Sequence, residues 1–157
     1  MFQVKVKKIQ KDNIKLKKQQ SCLKGEPNYR FIDNTCYYFE TTYKSYDDAK
    51  QNCNTKFPQG KLFEPKSLSS NKKVYKMALS IKNHPYWWIG ITDKRNEGSW
   101  VYDSDGTSVA ISIPWNSGEP NGEPNGGSGE NCLQSWKIGK WGDISCGNNW
   151  AMSICEP

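Results

Sequence analysis

The sequence predicts an α+β fold, and three observations predict it. Two amphipathic helical patterns, at 45–57 and 67–81, lie close together in the first half of the chain. Short apolar strand patterns then recur at 86–93, 100–102, 132–137, 140–146 and 150–156. A run of helices followed by a run of strands is the pattern of segregated α+β architecture, not of alternating parallel units. Third, the 157 residues include seven Trp, eight Tyr and five Phe, an aromatic content that disordered chains lack. The length suits one domain with a sizeable core.

Taken in order, residues 1–21 form a lysine-rich arm and residues 22–157 the folded domain. In the arm, Phe2, Ile9, Leu16 and Leu23 fall seven apart, as one heptad position would. The companion position holds Val6, Asn13 and Gln20, too polar for a sustained coiled coil. VKVKKI and IKLKK alternate, which favours a strand-like or flexible arm over an oligomerising segment or an anionic-surface binder. CYYFE (36–40) reads as a strand. SYDDAKQNCNTKF (45–57) opens with a Ser cap and two acids, and Ala49, Cys53 and Phe57 share a face. SLSSNKKVYKMALSI (67–81) places Val74, Met77, Ala78 and Ile81 inward. YWWIGITD (86–93) is a strongly apolar strand, and WVY (100–102) a short one after a turn at NEG. Residues 103–131 are a long loop rich in Gly, Pro, Asn and Ser, and loops of that length in compact domains are usually functional. CLQSWK, KWGDISC and WAMSICE close the chain as strands.

Charge and cysteine usage exclude several classes. The arm to residue 20 carries seven Lys and one Asp, and the remaining 137 residues carry 15 basic and 15 acidic groups. The whole net charge of +6 thus belongs to the arm, and a neutral domain speaks against nucleic-acid binding. No stretch approaches the ~20 apolar residues of a membrane span. The N-terminus lacks the apolar segment of a signal peptide, so a secreted protein would have lost its signal before this sequence begins. Six Cys without a CxxC pair imply an oxidising, extracellular setting and disulfides, not a zinc ribbon. The single histidine, His84, is expected to be structural or solvent-facing, and no nucleophile–base pair for an enzyme is visible.

Several stretches together resemble the C-type lectin-like domain: DDAKQNC, WWIGITD, WNSGEPN, GSGENC, KWGDISC and a cysteine near the C-terminus, in that order and spacing over residues 22–157. The resemblance implies two helices packed on small antiparallel sheets, a long calcium-binding loop and three disulfides. Its pairing would be Cys53–Cys155, Cys132–Cys146 and, as in the family's long form, Cys22–Cys36. The cysteines alone allow fifteen pairings.

The stretch GEPNGEPNGGSGEN (118–131) carries the Glu-Pro-Asn unit twice. Ca²⁺ takes six to eight oxygens from carboxylates, amides, backbone carbonyls and water, and only X–Pro bonds adopt cis at modest cost. In the family this unit binds calcium through a cis Glu-Pro bond. A later Glu and a Trp-Asn-Asp stretch complete the shell. Those positions here are Glu130 and Gly142-Asp143. The resemblance implies that a sugar then bridges to the ion through two vicinal hydroxyls, of the mannose, glucose, N-acetylglucosamine or fucose type. The spacing from Trp115 favours the Glu119–Asn121 copy, and the spacing to Glu130 favours Glu123–Asn125. The second is preferred because the other ligands lie downstream. Gly142 departs from the family pattern by lacking a ligand side chain. Water, Asn121, Asn131 or Asn148 would have to fill its place, or calcium binds weakly. Asp93 and Glu97, with Glu130 and Asn131, resemble an auxiliary calcium site, although two acids of that pattern are replaced.

Trp87, Trp88, Trp100 and Trp141 are expected in the core, Trp115 as an anchor of the long loop, and Trp150 in the core before sugar stacking. Ile144 is a candidate apolar contact to sugar. The expected function is a secreted calcium-dependent lectin for mannose-type sugars on microbial or host glycans, gaining avidity as a homo-oligomer. The alternative is a lectin-like structural or protein-interaction domain, of a mineral-matrix or ice-binding kind, that binds no sugar.

Overall fold

The computed structural model describes residues 2–24, 27–118, 127–136 and 139–157. Its elements are α1 (Phe2–Leu23), β1 (Tyr29–Ile32), β2 (Thr35–Lys44), α2 (Tyr46–Lys56), β3 (Lys61–Leu62), α3 (Leu68–Ile81), β4 (Trp87–Thr92), β5 (Val101–Tyr102), β6 (Cys132–Trp136), β7 (Lys140–Ile144) and β8 (Ala151–Glu156). The α+β class and the lectin-type architecture hold. Among the described residues three α-helices, not two, accompany the sheet.

Capping chemistry explains the two domain helices. Ser45 accepts a hydrogen bond from the Asp48 backbone N–H, and Asp47 and Asp48 sit in the first turn, where the helix dipole favours acids. Ser67 accepts from Ser70 N–H in the same way. Tyr46, Ala49 and Cys53 are the buried face of α2. On α3 the buried set is Asn71, Val74, Tyr75 and Ala78, while Met77 and Ile81 are only half-buried at the rim. The buried Asn71 is satisfied on both sides of its amide. Its Nδ2 donates to Gly139 O at 2.8 Å, and its Oδ1 accepts from Trp141 Nε1 at 3.2 Å. α3 is thereby tied to the start of β7.

The strands form one mixed sheet in the order β1-β2-β8-β4-β6-β7, with β3 beside β8 and β5 beside β4. The family resemblance implied small antiparallel sheets, but β4 runs parallel to β8, pairing Trp87 with Met152 and Trp88 with Ser153. β4 is buried along its whole length, because α3 covers one face of the sheet and α2 the other. Adjacent residues point to opposite faces of a strand, so Trp87 joins the core under α3 and Trp88 the core under α2. A strand covered on both faces reads as an unbroken apolar run, as WWIGIT does.

Trp141 is also fully buried, and Trp100 packs partly buried at the edge of the larger core. Trp115 anchors the long loop as expected. It stacks edge-on against Trp100 at 5.5 Å and bridges to Trp141. Trp150 is the exception. It is 50% exposed and is not a core residue, because it precedes β8 at the open end of the sheet.

The three disulfides are Cys22–Cys36, Cys53–Cys155 and Cys132–Cys146, with Cα–Cα distances of 5.6, 5.2 and 5.2 Å. The second ties α2 to β8, and the third closes β6 onto the segment after β7. The arm is not strand-like. It is the 22-residue helix α1, continuing through Cys22 to Leu23. Val4, Ile9, Ile14, Leu16 and Leu23 are all more than half exposed on it, so it packs on the domain only near its C-terminal end. Among the described residues no helix is long and apolar enough to cross a membrane.

Candidate functional site

The ladder of β4, β6 and β7 places most of the described candidate residues at one end of the sheet. Thr92 pairs with Cys132, and Cys132 with Ile144. Leu133 pairs with Asp143. Glu130 and Asn131 lead into β6 at this end, Asp143 and Ile144 finish β7 there, and Asp93 follows β4. Two bonds lock the corner. Thr92 Oγ1 donates to Asn131 O at 2.6 Å, and Asp93 N–H donates to the same oxygen at 3.3 Å.

The side chains differ in character. Asp143 is 6% exposed and Asp93 is 1% exposed, whereas Glu97 is on the surface and Glu130 and Ile144 are half-buried. Asp93 Oδ2 accepts the Gly98 N–H at 2.8 Å and closes the turn 93–98, in which Gly98 takes φ +76°. This is a structural use of the acid that the auxiliary-site reading did not anticipate. Asn131 Nδ2 donates to Ser128 O at 2.6 Å. Its Oδ1 is buried and has no hydrogen-bond partner among the described residues. Buried polar oxygens normally find a partner, so this oxygen is a ready donor to a cation.

Gly142, where a ligand side chain was missing, is buried within β7 and pairs with Gln134 of β6. Gln134 is 2% exposed, and its Oε1 likewise has no partner among the described residues. The sequence reading passed over Gln134, because only the strand register reveals that its carboxamide stands across from position 142.

Both Glu-Pro-Asn copies, with Glu119, Asn121, Glu123 and Asn125, lie outside the described residues, as does the choice between them. The flanks are described. Asn116 N–H donates to Trp141 O at 2.8 Å, and Trp141 N–H donates to Pro114 O at 3.0 Å. Residues 114–116 thus run beside β7, and the turn 127–129 lies just before Glu130. Among the described residues no group of three or more His, Cys, Asp or Glu gathers as a metal site. What the corner offers is carboxylate and amide oxygen, its one cysteine, Cys132, being tied up in a disulfide, and that donor chemistry fits a hard cation such as Ca²⁺.

The family profile described as the lectin C-type domain matches residues 42–157. The chain belongs to the C-type lectin domain family. A perlucin-like protein of Mytilus galloprovincialis is 30% identical over 138 residues, covering 86% of this chain and 82% of that protein. The hepatic lectin of Gallus gallus is 31% identical over 119 residues, covering 75% of this chain but 53% of its own length. Among solved structures, the carbohydrate-recognition domain of the mouse scavenger receptor C-type lectin superposes with a TM-score of 0.70 at 28% identity, covering 85% of this chain and 95% of that one. The C-type lectin domain here thus spans most of one relative and about half of another.

Proposed function

We propose that this C-type lectin domain binds neutral sugars of the mannose, glucose, N-acetylglucosamine or fucose type through a calcium ion. The observation that supports the reading is the corner itself: Glu130 and Asn131 lead into β6 at the end of the ladder where Asp143 closes β7, and the Asn131 Oδ1 is buried and lacks a partner among the described residues. Glu130, Asp143 and Asn131 would hold the ion together with the acid and amide of one Glu-Pro-Asn unit, for which Glu123 and Asn125 are preferred to Glu119 and Asn121. When bound, calcium supplies a coordination partner for two vicinal sugar hydroxyls. Carboxylates left facing the sugar accept hydrogen bonds from those hydroxyls, amides donate to them, and Ile144 offers an apolar edge beside Asp143. Asp93 and Glu97 are assigned to a weaker auxiliary calcium site, with the Asp93 carboxylate also holding its turn.

The domain is proposed to act as a secreted, long-form lectin with glycans as partners, residues 1–21 serving as an appended arm. A single shallow site binds weakly, so oligomers would supply avidity. The test is retention on a mannose resin in millimolar calcium. The protein should stay bound and elute with a chelator, and Asp143→Asn and Glu123→Gln should flow through while Glu119→Gln is retained. Retention that survives both chelator and Asp143→Asn would refute the reading.

A further inference from the structure

The opposite end of the sheet carries exposed aromatic and polar side chains. β4 starts there at Trp87 and reaches the calcium corner only at Thr92, a strand length of roughly 17 Å. Tyr43, near the end of β2, is 56% exposed, and Trp150 is 50% exposed. His84 braces Tyr43. Its ring packs on Tyr43 at 5.1 Å, and its Nε2 lies 3.1 Å from the Trp150 backbone carbonyl oxygen, which holds the main chain beside it. His84 is backed in turn by Tyr86 at 5.6 Å, and Tyr86 by Trp136 at 5.5 Å. Tyr43 therefore stands at the surface on a fixed aromatic support.

Beside Tyr43 lies a groove of about 510 Å³, within the size range of small-ligand sites. Beside Tyr43 its side chains include Asp48, Gln51, Asn52 and Thr55 from α2, and Asn149 from the segment before β8. Part of it is already held in place. Asn52 Nδ2 donates to Glu40 at 3.1 Å, and Asp48 accepts from Ser45 Oγ at 2.7 Å. Lys44 and Asp48 are its two charged members, of opposite sign, so it favours no ionic ligand. Apart from Tyr43 it offers no apolar anchor of the kind peptide recognition needs. An aromatic face next to amides, hydroxyls and one carboxylate matches a pyranose, whose axial C–H groups pack on a ring while its hydroxyls pair with amide and carboxylate groups.

We propose that this groove is a second, calcium-independent contact site for a neutral oligosaccharide, with Tyr43 as stacking platform and His84 as a positioning residue. It requires nothing of the calcium corner. A monomer with two glycan contacts at opposite ends would cross-link polysaccharide chains without oligomerising.

The test is a two-dimensional ¹H–¹⁵N NMR titration of the full chain with cellohexaose in chelator, up to ~10 mM, where a weak subsite fills substantially. Shifts are expected in the side-chain amides of Gln51, Asn52 and Asn149. Tyr43→Ala should weaken binding at least about tenfold, Tyr43→Phe should preserve it, and Asp143→Asn should leave it unchanged. Absent shifts, shifts indifferent to Tyr43→Ala, or shifts abolished by Asp143→Asn would each overturn the proposal. None of these outcomes depends on calcium binding, so failure here is separable from failure of the mannose-resin test.

Discussion

Glu156 and Gly90 show how single residues set the limits of this domain. The Glu156 carboxyl is only 13% exposed at the end of β8, and burial pushes its pKa up from 4.5 to about 7. The Glu64 N–H and Lys61 oppose the shift, and the Glu64 carboxylate adds to it. A folded-state pKa above the unfolded one means stability that is complete below pH 4.5 and lost as pH rises through about 7. Glu156→Gln should flatten that slope, by at most about 3 kcal/mol between acid and mildly basic pH. Urea unfolding midpoints of both proteins across that range would show it, and parallel profiles would contradict it. Gly90 sits mid-β4, where an added Cβ would come 2.7 Å from the Leu62 carbonyl oxygen and 2.8 Å from Glu64 Cγ. Since backbone cannot give way cheaply, Gly90→Ala should cost about 1–3 kcal/mol in a chemical denaturation series. A change under half a kcal/mol would show that β3 moves freely.

At the scale of elements, α1 stands apart from the rest. It exposes its apolar side chains and is tied to the domain at its C-terminal end by Cys22–Cys36. Deleting residues 1–20 should therefore move the domain's Tm by less than ~2 °C while lowering the helical far-UV signal. A large drop would mean the helix stabilises the sheet. α1 was misread as strand-like because Val and Lys alternate over its first residues. The helical signal was the lysine set at 7, 11, 15 and 18, which repeats every three or four residues on one face. The helices α2 and α3 were legible because each begins at a Ser cap, and β4 because burial on both faces leaves an unbroken apolar run. β1 and β3 were not assigned. β3 has two residues, too few for any periodicity. β1 did carry a signal in the Asp33-Asn34 turn, both residues at positive φ, which Asp and Asn tolerate in two-residue hairpins. At the candidate site, motifs named Glu130, Asn131, Asp143 and Ile144 as candidates, and the strand register brings their positions to one end of the sheet. Gln134 and the structural use of Asp93 were not legible, because strand register and turn closure depend on tertiary pairing.

For the whole molecule, the disulfides and the sheet order set which residues share each end of the sheet. The antiparallel β2–β8 pairing joins the N-terminal and C-terminal strands, while β4 enters beside β8 and carries β6 and β7 on its other side. Cys53–Cys155 spans 102 residues, whereas the other two bridges span 14 each. The loop-entropy account assigns about 4.7 kcal/mol to the wide bridge and about 3 kcal/mol to each narrow one. Replacing the wide pair by Ser should lower Tm most, as calorimetry of the three double variants would show. The central claim is that the corner of Glu130, Asn131 and Asp143 is a working calcium-dependent sugar site. Its most direct test is a calorimetric titration of methyl mannoside into the full chain, once with millimolar calcium and once with chelator. Binding heat with calcium and none with chelator is the predicted result. Heat in neither titration, or equal heat in both, would contradict it.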